Sequence, residues 1–336
     1  MEQKFSIICD GSCDLPEEIL RQKDIRIVHF LVSFNGTDYL KEGAELKLPD
    51  FYQRMVDFPC VYPKTAAPSP EDFYRIFEEK ARLGQDIFCV CISSKLSSCI
   101  QSAKIARDML SETYPDTQVV VLDSMAATLM QGIFVLELCR LRDSGLSVLQ
   151  AEACMKNLIP SARIFFTVDT LDHLEHGGRI GKVAKTAGSL LNVNPLITFY
   201  DGEIHSAGIK RGRRSLESLC DLCIQYFKDH QCTPKECSLI IGYGHEKQEG
   251  QLLHDMLLQK LSSSFDQIDP LPVCQIGATI GVHTGPTPIG IGVIKKAVFE
   301  NRLSNNAIST GGRKIPLSIR LPFYVTAQGR RSPFLL

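Results

Sequence analysis

Two turns rich in hydroxyl groups are the sequence features most suited to binding chemistry. The segment KTAAPSP at residues 64–70 precedes a predicted helix, and SSKLSS at residues 93–98 joins a predicted strand to a helix. Ligands of open parallel sheets lie beyond the carboxyl ends of the strands, and helix N-termini attract anions. Both turns are therefore candidate anion sites. On this evidence alone, a plain helix N-cap is the preferred role of Ser97 or Ser98.

His283 is the one basic side chain in residues 270–294, a span without Asp, Glu, Lys or Arg. An ordinary loop histidine is the alternative interpretation. Together with the two turns, it indicates a hydroxyl-lined anion site with an apolar, glycine-rich lining. A carboxylate with a hydrocarbon tail suits such a site, because hydroxyl groups bind the carboxylate and each buried methylene contributes ~0.8 kcal/mol.

Familiar catalytic motifs are missing from the sequence. It contains no Gly-x-Ser-x-Gly, no Walker A loop and no complete Gly-x-Gly-x-x-Gly. This argues against an α/β-hydrolase, a P-loop enzyme and a dinucleotide dehydrogenase. The remaining enzymatic hypothesis is a hydrolase of acyl substrates with Ser97 as nucleophile and His283 as base. It lacks an identifiable acid and an evident oxyanion hole.

Two other pairs of reactive side chains have simpler interpretations. Cys220 and Cys223 form a Cys-x-x-Cys, but they lie on the apolar stripe of a predicted helix, so we expect core packing. His173 and His176 share a helix face, yet no cysteine or carboxylate constellation completes a zinc site around them. We expect these two histidines to be solvated. We also expect that the protein binds neither a metal nor a cofactor.

Composition places the chain among soluble globular proteins of about two domains, with 336 residues of which 44% are hydrophobic. The 37 basic and 38 acidic side chains leave a formal charge of -1, so no net field attracts nucleic acid or an anionic bilayer. The 13 cysteines are scattered through apolar segments, which favours a reducing cytosol over a disulfide framework. The N-terminus does not resemble a signal peptide, and we expect a cytoplasmic protein.

The charge-free span at residues 270–294 is long enough to cross a bilayer at ~1.5 Å per residue. Its glycines and prolines break any helix of that length. We therefore expect no stable membrane insertion. The span is predicted to be a strand and a loop that something apolar or another chain segment approaches closely.

Local signals predict individual turns and helix ends. Asn35 and Gly36 are a strong hairpin signal. Ser69, Pro70 and Asp72 supply the N-cap, first residue and N3 acid of a helix.

Strand and helix signals alternate in the first half of the sequence, which predicts a mostly parallel sheet covered by helices. After residue 163 the pattern changes to mixed α+β. The predicted fold class is α/β, with an N-terminal α/β domain at residues 1–158 and a smaller α+β domain at 159–296. Residues 297–336 are predicted to be a basic, poorly ordered tail.

Short motifs follow one another in a fixed order along most of the chain. They are CDGSCDL (9–15), KTAAPSP (64–70), SSKLS (93–97), DS (123–124), VDTL (168–171), GGRI (177–180), LLN (190–192) with Pro195, KRG (210–212) and HTGP (283–286). Over about residues 4–296, the ordered set resembles the DegV family. These are bacterial fatty-acid-binding proteins, of which some, called FakB, present acyl chains to a fatty acid kinase.

The resemblance implies a fold and a ligand site. The fold is an N-terminal α/β domain against a smaller α+β domain, with the acyl chain in a tunnel between or beneath them. Carried over to this chain, Thr65 and Ser97 would hydrogen-bond the carboxyl group of a long-chain fatty acid. His283 would lie close to the same head group, and Ser94 is a further candidate from the same turn.

The resemblance also implies a partner. Arg179 and Arg211 match positions implicated in engaging a dihydroxyacetone-kinase-like fatty acid kinase subunit, where a cationic pair docks the partner or steadies the phosphoryl group. Two ordinary surface arginines are the alternative. The expected function is non-enzymatic: the protein presents a fatty acid for phosphorylation to acyl phosphate, a step that serves phospholipid metabolism.

Some positions depart from the family pattern. The second turn commonly continues Leu-Ser-Gly-Thr, whereas here Ser98 and Cys99 follow, which would alter helix entry and pocket width. Gly11 replaces a usual Ser, and Ala66 and Ala67 replace Ser and Gln, which weakens the polar network.

Overall fold

Three β-sheets, connected by helices, form the fold of residues 5–186 and 194–298. The computed structural model of the protein describes residues 5–186 and 194–298. The strands of this part are β1 (Phe5–Asp10), β2 (Ile25–Val28), β3 (Leu31–Ser33), β4 (Leu40–Lys41), β5 (Lys64–Ala66), β6 (Asp86–Cys91), β7 (Val119–Asp123), β8 (Arg163–Thr167), β9 (Asn194–Tyr200), β10 (Glu203–Lys210), β11 (Cys237–Tyr243), β12 (Val273–Gln275) and β13 (Ile289–Lys295). Its α-helices are α1 (Glu17–Gln22), α2 (Leu48–Asp57), α3 (Pro70–Ala81), α4 (Cys99–Thr113), α5 (Thr128–Asp143), α6 (Val148–Leu158), α7 (Asp172–His176), α8 (Arg214–Asp229), α9 (Lys247–Ser262) and α10 (Ala278–Thr284).

The first sheet is parallel throughout, with strand order β2-β1-β6-β7. Its two central strands are almost continuous apolar runs. Every residue of β1 is buried, and so is all of β6 after Asp86. Such runs are typical of parallel strands that are covered on both faces. The predicted parallel sheet is confirmed.

The second sheet has the strand order β10-β9-β8-β13-β11-β12, and only its β11–β12 pair is parallel. α8 and α9 pack on one of its faces. Cys220 and Cys223 of α8 are fully buried there, which confirms the packing role predicted for them. One parallel and one mixed sheet confirm the α/β fold class, while the domain boundaries at residues 158 and 296 stay predictions.

α5 lies between the two large sheets. It contacts β1 of the parallel sheet as well as β11 and β13 of the mixed sheet. Most of its residues are buried, including Gln131, Glu137 and Arg142. A helix that is apolar on nearly all sides is one enclosed by other elements, so α5 is the layer between these two sheets.

A small third sheet has the order β4-β3-β5. The predicted hairpin is confirmed, because β3 and β4 pair antiparallel on either side of Asn35 and Gly36. The predicted start of α3 is also confirmed. The Ser69 side chain accepts a hydrogen bond from the backbone N–H of Asp72, whose carboxylate accepts one from the N–H of Ser69.

The charge-free span at residues 270–294 differs in part from its prediction. Close approach by another segment is confirmed: a Cβ atom on Gly277 would overlap the carboxylates of Asp14 and Glu42. The predicted loop is wrong, however, because the helix α10 occupies it. The carboxylate of Glu42 accepts hydrogen bonds from the backbone N–H groups of Ala278 and Thr279 and from the Thr279 hydroxyl. This contact joins segments more than two hundred residues apart, which a sequence pattern does not reveal.

Two of the predicted features fall partly or wholly outside the described residues. They are the motif at residues 190–192 and, within the predicted tail, residues 299–336. In the described ranges 5–186 and 194–298, no helix has the length and apolar character needed to cross a membrane.

The capping contact of Glu42 is testable. We expect Glu42→Ala to lower the free energy of unfolding by about 3 kcal/mol, because it leaves buried donors of α10 without an acceptor. Urea denaturation measures the change. Glu112→Ala, at an exposed position of α4, is the matched control and should change stability by less than about 0.5 kcal/mol. Equal stabilities of the two variants would contradict the capping role.

Candidate functional site

A largely apolar cavity lies between α5, α10 and the mixed sheet, next to the segments that follow β2 and β6. Counted out to open solvent at its mouth, the space between the side chains measures about 950 Å³. The mixed sheet and both helices contribute to its wall, together with Ile92 directly after β6. Further representative lining residues are Leu129, Met130, Ile164, Phe166 and Ile280.

Polar side chains gather at one end of this cavity. Thr65, Ser97, Arg179 and His283 all line it, and all four are partly exposed. The apolar lining residues on β8 and β13 are mostly buried. These four polar residues therefore lie at the open end of the cavity, its mouth. Four positions predicted from separate motifs come together here.

Thr65 is placed by the small third sheet. It lies in the middle of β5, opposite Val32 of β3 in an antiparallel pair. Its hydroxyl oxygen is 3.0 Å from Nε2 of His283 on α10. Thr65 and His283 therefore form one hydrogen-bonded pair across the mouth.

Ser97 is placed by the turn that follows β6. The N–H of Ile92 at the start of the turn donates to the Asp10 carboxylate, at 2.6 Å. Within the turn, the N–H of Ser97 donates to the Ser93 carbonyl. The Ser97 hydroxyl accepts a hydrogen bond from the N–H of Cys99 at 3.2 Å, so it takes part in the helix entry as well as lining the cavity.

His283 is neutral at physiological pH. Burial first, and then the charge of Arg179 and the neighbouring His173, lower its pKa to about 4. Its Nδ1 is buried and has no hydrogen-bond partner among the described residues. This arrangement favours the tautomer with its proton on Nε2, since a buried N–H without an acceptor costs more than a bare nitrogen lone pair. Nε2 then donates to Thr65.

Gly177 allows the His283 ring to occupy this position. A Cβ atom at residue 177 would overlap Nδ1 of His283. The carbonyl of the same glycine accepts a hydrogen bond from Nη1 of Arg179 at 2.6 Å, and Nε of Arg179 donates to the Leu96 carbonyl at 3.0 Å. The guanidinium is therefore fixed to both sides of the mouth, beside the turn that carries Ser97.

Ser94 and Arg211 lie apart from this group. Ser94 is exposed and does not line the cavity, and its backbone N–H donates to the Asp123 carboxylate. Arg211 is exposed in the loop between β10 and α8 and is likewise absent from the lining.

The predicted solvated histidine pair is only half correct. His176 is exposed and stacks on Tyr62, with 3.6 Å between ring centroids. His173 is half-buried, its Nδ1 is enclosed without a partner, and burial lowers its pKa. The prediction is wrong for His173 because α10 packs against α7, a contact between distant segments.

Asp10, Cys91 and Cys99 bring three potential metal ligands together in the buried core beneath the Ser97 turn. Both carboxylate oxygens of Asp10 are already used. One accepts from Ser12 and Gln131, and the other accepts from Ile92. These hydrogen bonds assign Asp10 to holding the turn.

The cavity also contains a lining residue that the sequence analysis missed. Gly242, in the interior of β11, lines the wall together with Gly290 and Gly292 of β13. A glycine inside a strand often marks the close approach of a ligand or another backbone. The sequence does place Gly242 inside a predicted strand. The position of a glycine alone does not say which group approaches it, because that depends on how the strands pair in the sheet.

The lowered pKa of His283 has a consequence for stability. Above about pH 6.5 the histidine is neutral in both folded and unfolded chains; as the pH falls toward 4, only the unfolded chain gains the proton. Wild type should therefore lose about 2 kcal/mol more than His283→Gln between about pH 7 and about pH 5. Urea denaturation of both proteins at the two pH values measures this, and identical losses would contradict a buried neutral histidine.

Comparisons with known proteins agree on one family. A family model described as an uncharacterised protein of the DegV family matches residues 4–296. A DegV domain-containing protein of Clostridium acetobutylicum is 31% identical over 294 residues, which cover 88% of this chain and 99% of the relative. A DegV domain-containing protein of Clostridium perfringens is also 31% identical, over 84% of this chain and 94% of the relative.

Solved structures are similar to this one over nearly the same extent. A fatty acid (stearic acid)-binding protein from Eubacterium ventriosum has a TM-score of 0.80 and 36% identity, covering 87% of this chain and 98% of the other. A DegV family protein from Thermus thermophilus, described by its fatty acid binding, has a TM-score of 0.77 and 27% identity, covering 87% and 99%. The chain therefore belongs to the DegV family.

Proposed function

We propose that this protein binds a long-chain fatty acid, with the carboxyl group at Thr65, Ser97 and His283 and the acyl chain in the apolar cavity. The observation that carries the proposal is that one cavity combines two features. Thr65 and His283 form a hydrogen-bonded pair at its mouth, and the wall behind them is apolar. The similar structures from Eubacterium ventriosum and Thermus thermophilus are of fatty-acid-binding proteins, which supports the same ligand class.

The mouth offers the donors that a carboxylate needs. With the proton of His283 on Nε2, the Thr65 oxygen accepts from the histidine, and its own O–H is free to donate to a ligand. The Ser97 oxygen accepts from Cys99, so its O–H is free in the same way. Two hydroxyl donors thus face the cavity mouth. Hydrogen bonds to a charged acceptor contribute about 1.5 to 3 kcal/mol each.

Arg179 adds positive charge at the mouth. Its guanidinium is fixed by the Leu96 and Gly177 carbonyls, so little conformational entropy is lost when a carboxylate binds nearby. A buried carboxylate without a compensating charge is costly. We therefore include Arg179 among the groups that stabilise the ligand anion, in addition to the partner contact that the resemblance implies.

The apolar wall supplies most of the affinity. Each methylene transferred from water contributes about 0.8 kcal/mol, so the length of the acyl chain dominates the binding free energy. The ligand class is therefore a monocarboxylic acid with a long hydrocarbon tail, and no cofactor takes part.

We further propose that the bound carboxyl group is presented to a separate fatty acid kinase, which converts it to acyl phosphate. The carboxyl-binding residues are partly exposed, so a partner that supplies the phosphoryl group can reach them. Arg211 is exposed on the β10–α8 loop and is available for an acidic partner surface. In this proposal, the protein itself catalyses no reaction.

The hydrolase hypothesis finds no support in the site. A serine nucleophile needs a hydrogen bond between its hydroxyl group and the catalytic base. Here Nε2 of His283 is hydrogen-bonded to Thr65 and not to Ser97. The base also needs an acid on its second nitrogen. Among the described residues, Nδ1 of His283 has no hydrogen-bond partner.

The carboxyl site is tested by a double substitution. We expect Thr65→Ala with Ser97→Ala to weaken fatty acid binding by about a hundredfold, since both hydroxyl donors are lost. Displacement of a fluorescent acyl probe measures the affinity. Ser94→Ala with Thr287→Ala, which removes the same groups from exposed positions, should bind like wild type. Equal affinities of the two double variants would remove Thr65 and Ser97 from the site.

The kinase partnership is tested separately. Arg211→Glu should slow acyl phosphate formation by the kinase about tenfold, because a reversed charge repels an acidic partner surface. Its fatty acid affinity should equal that of wild type. Arg21→Glu reverses an exposed charge on α1 and serves as the control. If both variants support wild-type rates, Arg211 does not contact the kinase.

A further inference from the structure

Asp14 lies between the starts of the two helices that line the cavity. It follows β1 and has a left-handed backbone, with a φ of 51°. One carboxylate oxygen, Oδ2, accepts a hydrogen bond at 2.6 Å from the hydroxyl of Thr128, the first residue of α5. The other oxygen, Oδ1, lies against Gly277, the residue that precedes α10. Asp14 therefore contacts both helix starts.

A second carboxylate faces the same glycine. A Cβ atom on Gly277 would overlap oxygens of both Asp14 and Glu42, so the two acids are neighbours although they come from separate segments. In the described ranges 5–186 and 194–298, neither acid forms an ion pair with a basic side chain. Two like charges repel strongly where water is excluded. A single proton on the pair removes most of this repulsion.

The hydrogen bonds of the two acids are unequal. The Glu42 carboxylate accepts from two backbone N–H groups and from the Thr279 hydroxyl, and each of these bonds favours its charged form. Oδ1 of Asp14 is buried and has no hydrogen-bond partner of good geometry among the described residues. Such an oxygen is costly when the acid is charged, whereas a protonated oxygen can itself donate. These contacts favour the charge on Glu42 and a proton on Asp14.

The surroundings of Asp14 favour its neutral form as well. Burial first, and then the charge of Glu42, raise the pKa of Asp14 well above its usual range. The Thr128 hydroxyl and the nearby backbone of Gly277 oppose this shift. The net direction is toward a neutral acid.

No other ionisable group that faces the pair reverses this effect. Around the two acids, β1, α2 and β12 contribute Asp10, Tyr52 and Cys274. All three are neutral or negative, so they do not stabilise a charged Asp14. His29 lies at the backbone of Glu42, and burial lowers its pKa, which favours the uncharged ring. Lys41 is exposed.

Two threonines connect the acids to the cavity wall. Thr128 and Thr279 both line the cavity, and their hydroxyls bind Asp14 and Glu42 respectively. Thr128 also has a left-handed backbone, with a φ of 50°, which is unusual for a β-branched residue. Its hydrogen bond to Asp14 therefore helps to hold the first residue of α5 at the wall. His283 follows Thr279 by about one turn of α10.

We propose that Asp14 is a positioning residue of the carboxyl site and that it acts as a neutral acid beside the charged Glu42. In this form it holds the starts of α5 and α10 together, so that His283 stays beside Thr65 at the mouth. When Asp14 loses its proton, two adjacent negative charges at Gly277 push the segments apart and weaken the carboxyl site. The inference rests on the proposed function and adds a dependence of ligand affinity on pH.

Amide variants of the two acids test this role. Asp14→Asn keeps the shape of the side chain and imitates the neutral acid, since an amide both accepts and donates. Glu42→Gln puts a donor where α10 needs an acceptor. Asp116→Asn removes an exposed acid from the loop after α4 and is the matched control. Urea denaturation of the ligand-free proteins is measured between about pH 5 and about pH 9.

We expect wild type and Asp116→Asn to lose stability relative to Asp14→Asn as the pH rises. An unfolded aspartate ionises at a pKa of about 3.9, whereas the folded protein keeps Asp14 protonated, so each rise in pH opposes folding. The folding equilibrium constant of wild type should fall about tenfold relative to Asp14→Asn for each pH unit until Asp14 ionises. Glu42→Gln should be less stable than Asp14→Asn throughout.

Parallel stability profiles of wild type and Asp14→Asn would overturn the neutral acid. So would a pH-independent profile in Glu42→Gln together with a wild-type slope in Asp14→Asn, because the proton would then belong to Glu42. Should Asp14→Asn not fold, infrared spectroscopy of wild type at about pH 7 decides. The C=O stretching band of a protonated carboxylic acid is expected, and its absence overturns the proposal.

Fatty acid affinity tests the link to the carboxyl site. Displacement of the fluorescent acyl probe is measured below and above the pH at which the stability difference levels off. Wild type and Asp116→Asn should bind like Asp14→Asn below that pH, and about tenfold more weakly one pH unit above it. If the difference never levels off, Asp14 stays neutral and the affinities should be equal throughout; unequal affinities would then contradict the proposal.

The outcomes separate the two proposals. If wild type binds no acyl probe at any pH, the proposed function fails, while the stability profile still tests the proton on Asp14. If the probe binds with the same pH dependence to wild type and Asp14→Asn although their stabilities diverge and level off, Asp14 does not position the carboxyl site. Fatty acid binding then stands without it.

Discussion

The contact between Glu42 and the first turn of α10 is the interaction on which the site depends. Glu42 follows the edge strand β4, and its buried carboxylate accepts the hydrogen bonds of Ala278 and Thr279. Burial raises the pKa of Glu42, and these hydrogen bonds oppose that shift. A negative charge is also favourable at a helix N-terminus. The contact holds α10 in place, and α10 carries His283 to Thr65 on the small sheet.

The mouth and the wall of the cavity differ in chemical character. At the mouth, a neutral histidine orients the Thr65 hydroxyl, while the fixed guanidinium of Arg179 supplies charge. A protonated histidine at this place would repel Arg179, which contributes to its lowered pKa. Along the wall, the lining is almost entirely apolar and comes from α5 and the mixed sheet. In the proposed function, the polar mouth orients the ligand, and the apolar wall holds its hydrocarbon tail.

Sequence patterns predicted the features that depend on neighbouring residues. The capping box at Ser69 and Asp72, the hairpin at Asn35 and Gly36 and the buried parallel strands all follow from local propensity and periodicity. The polar residues of the mouth were predicted as separate motifs with chemistry in common. α10 was missed because its glycines argue against a helix and its cap comes from a distant carboxylate. The half-buried state of His173 was missed for a related reason, since α10 covers it.

By itself the sequence determined the fold class, the absence of familiar catalytic motifs and the hydroxyl and histidine side chains suited to a carboxylate. These depend on residue types and short spacings, which a linear pattern preserves. Only the tertiary structure decided that Thr65 bonds His283, that Arg179 lines the cavity while Ser94 and Arg211 do not, and that the glycines of β11 and β13 share one wall. Those outcomes depend on strand register and on which distant segments pack together. A contact between residues far apart in the chain produces no local pattern in the sequence, so it cannot be predicted from periodicity.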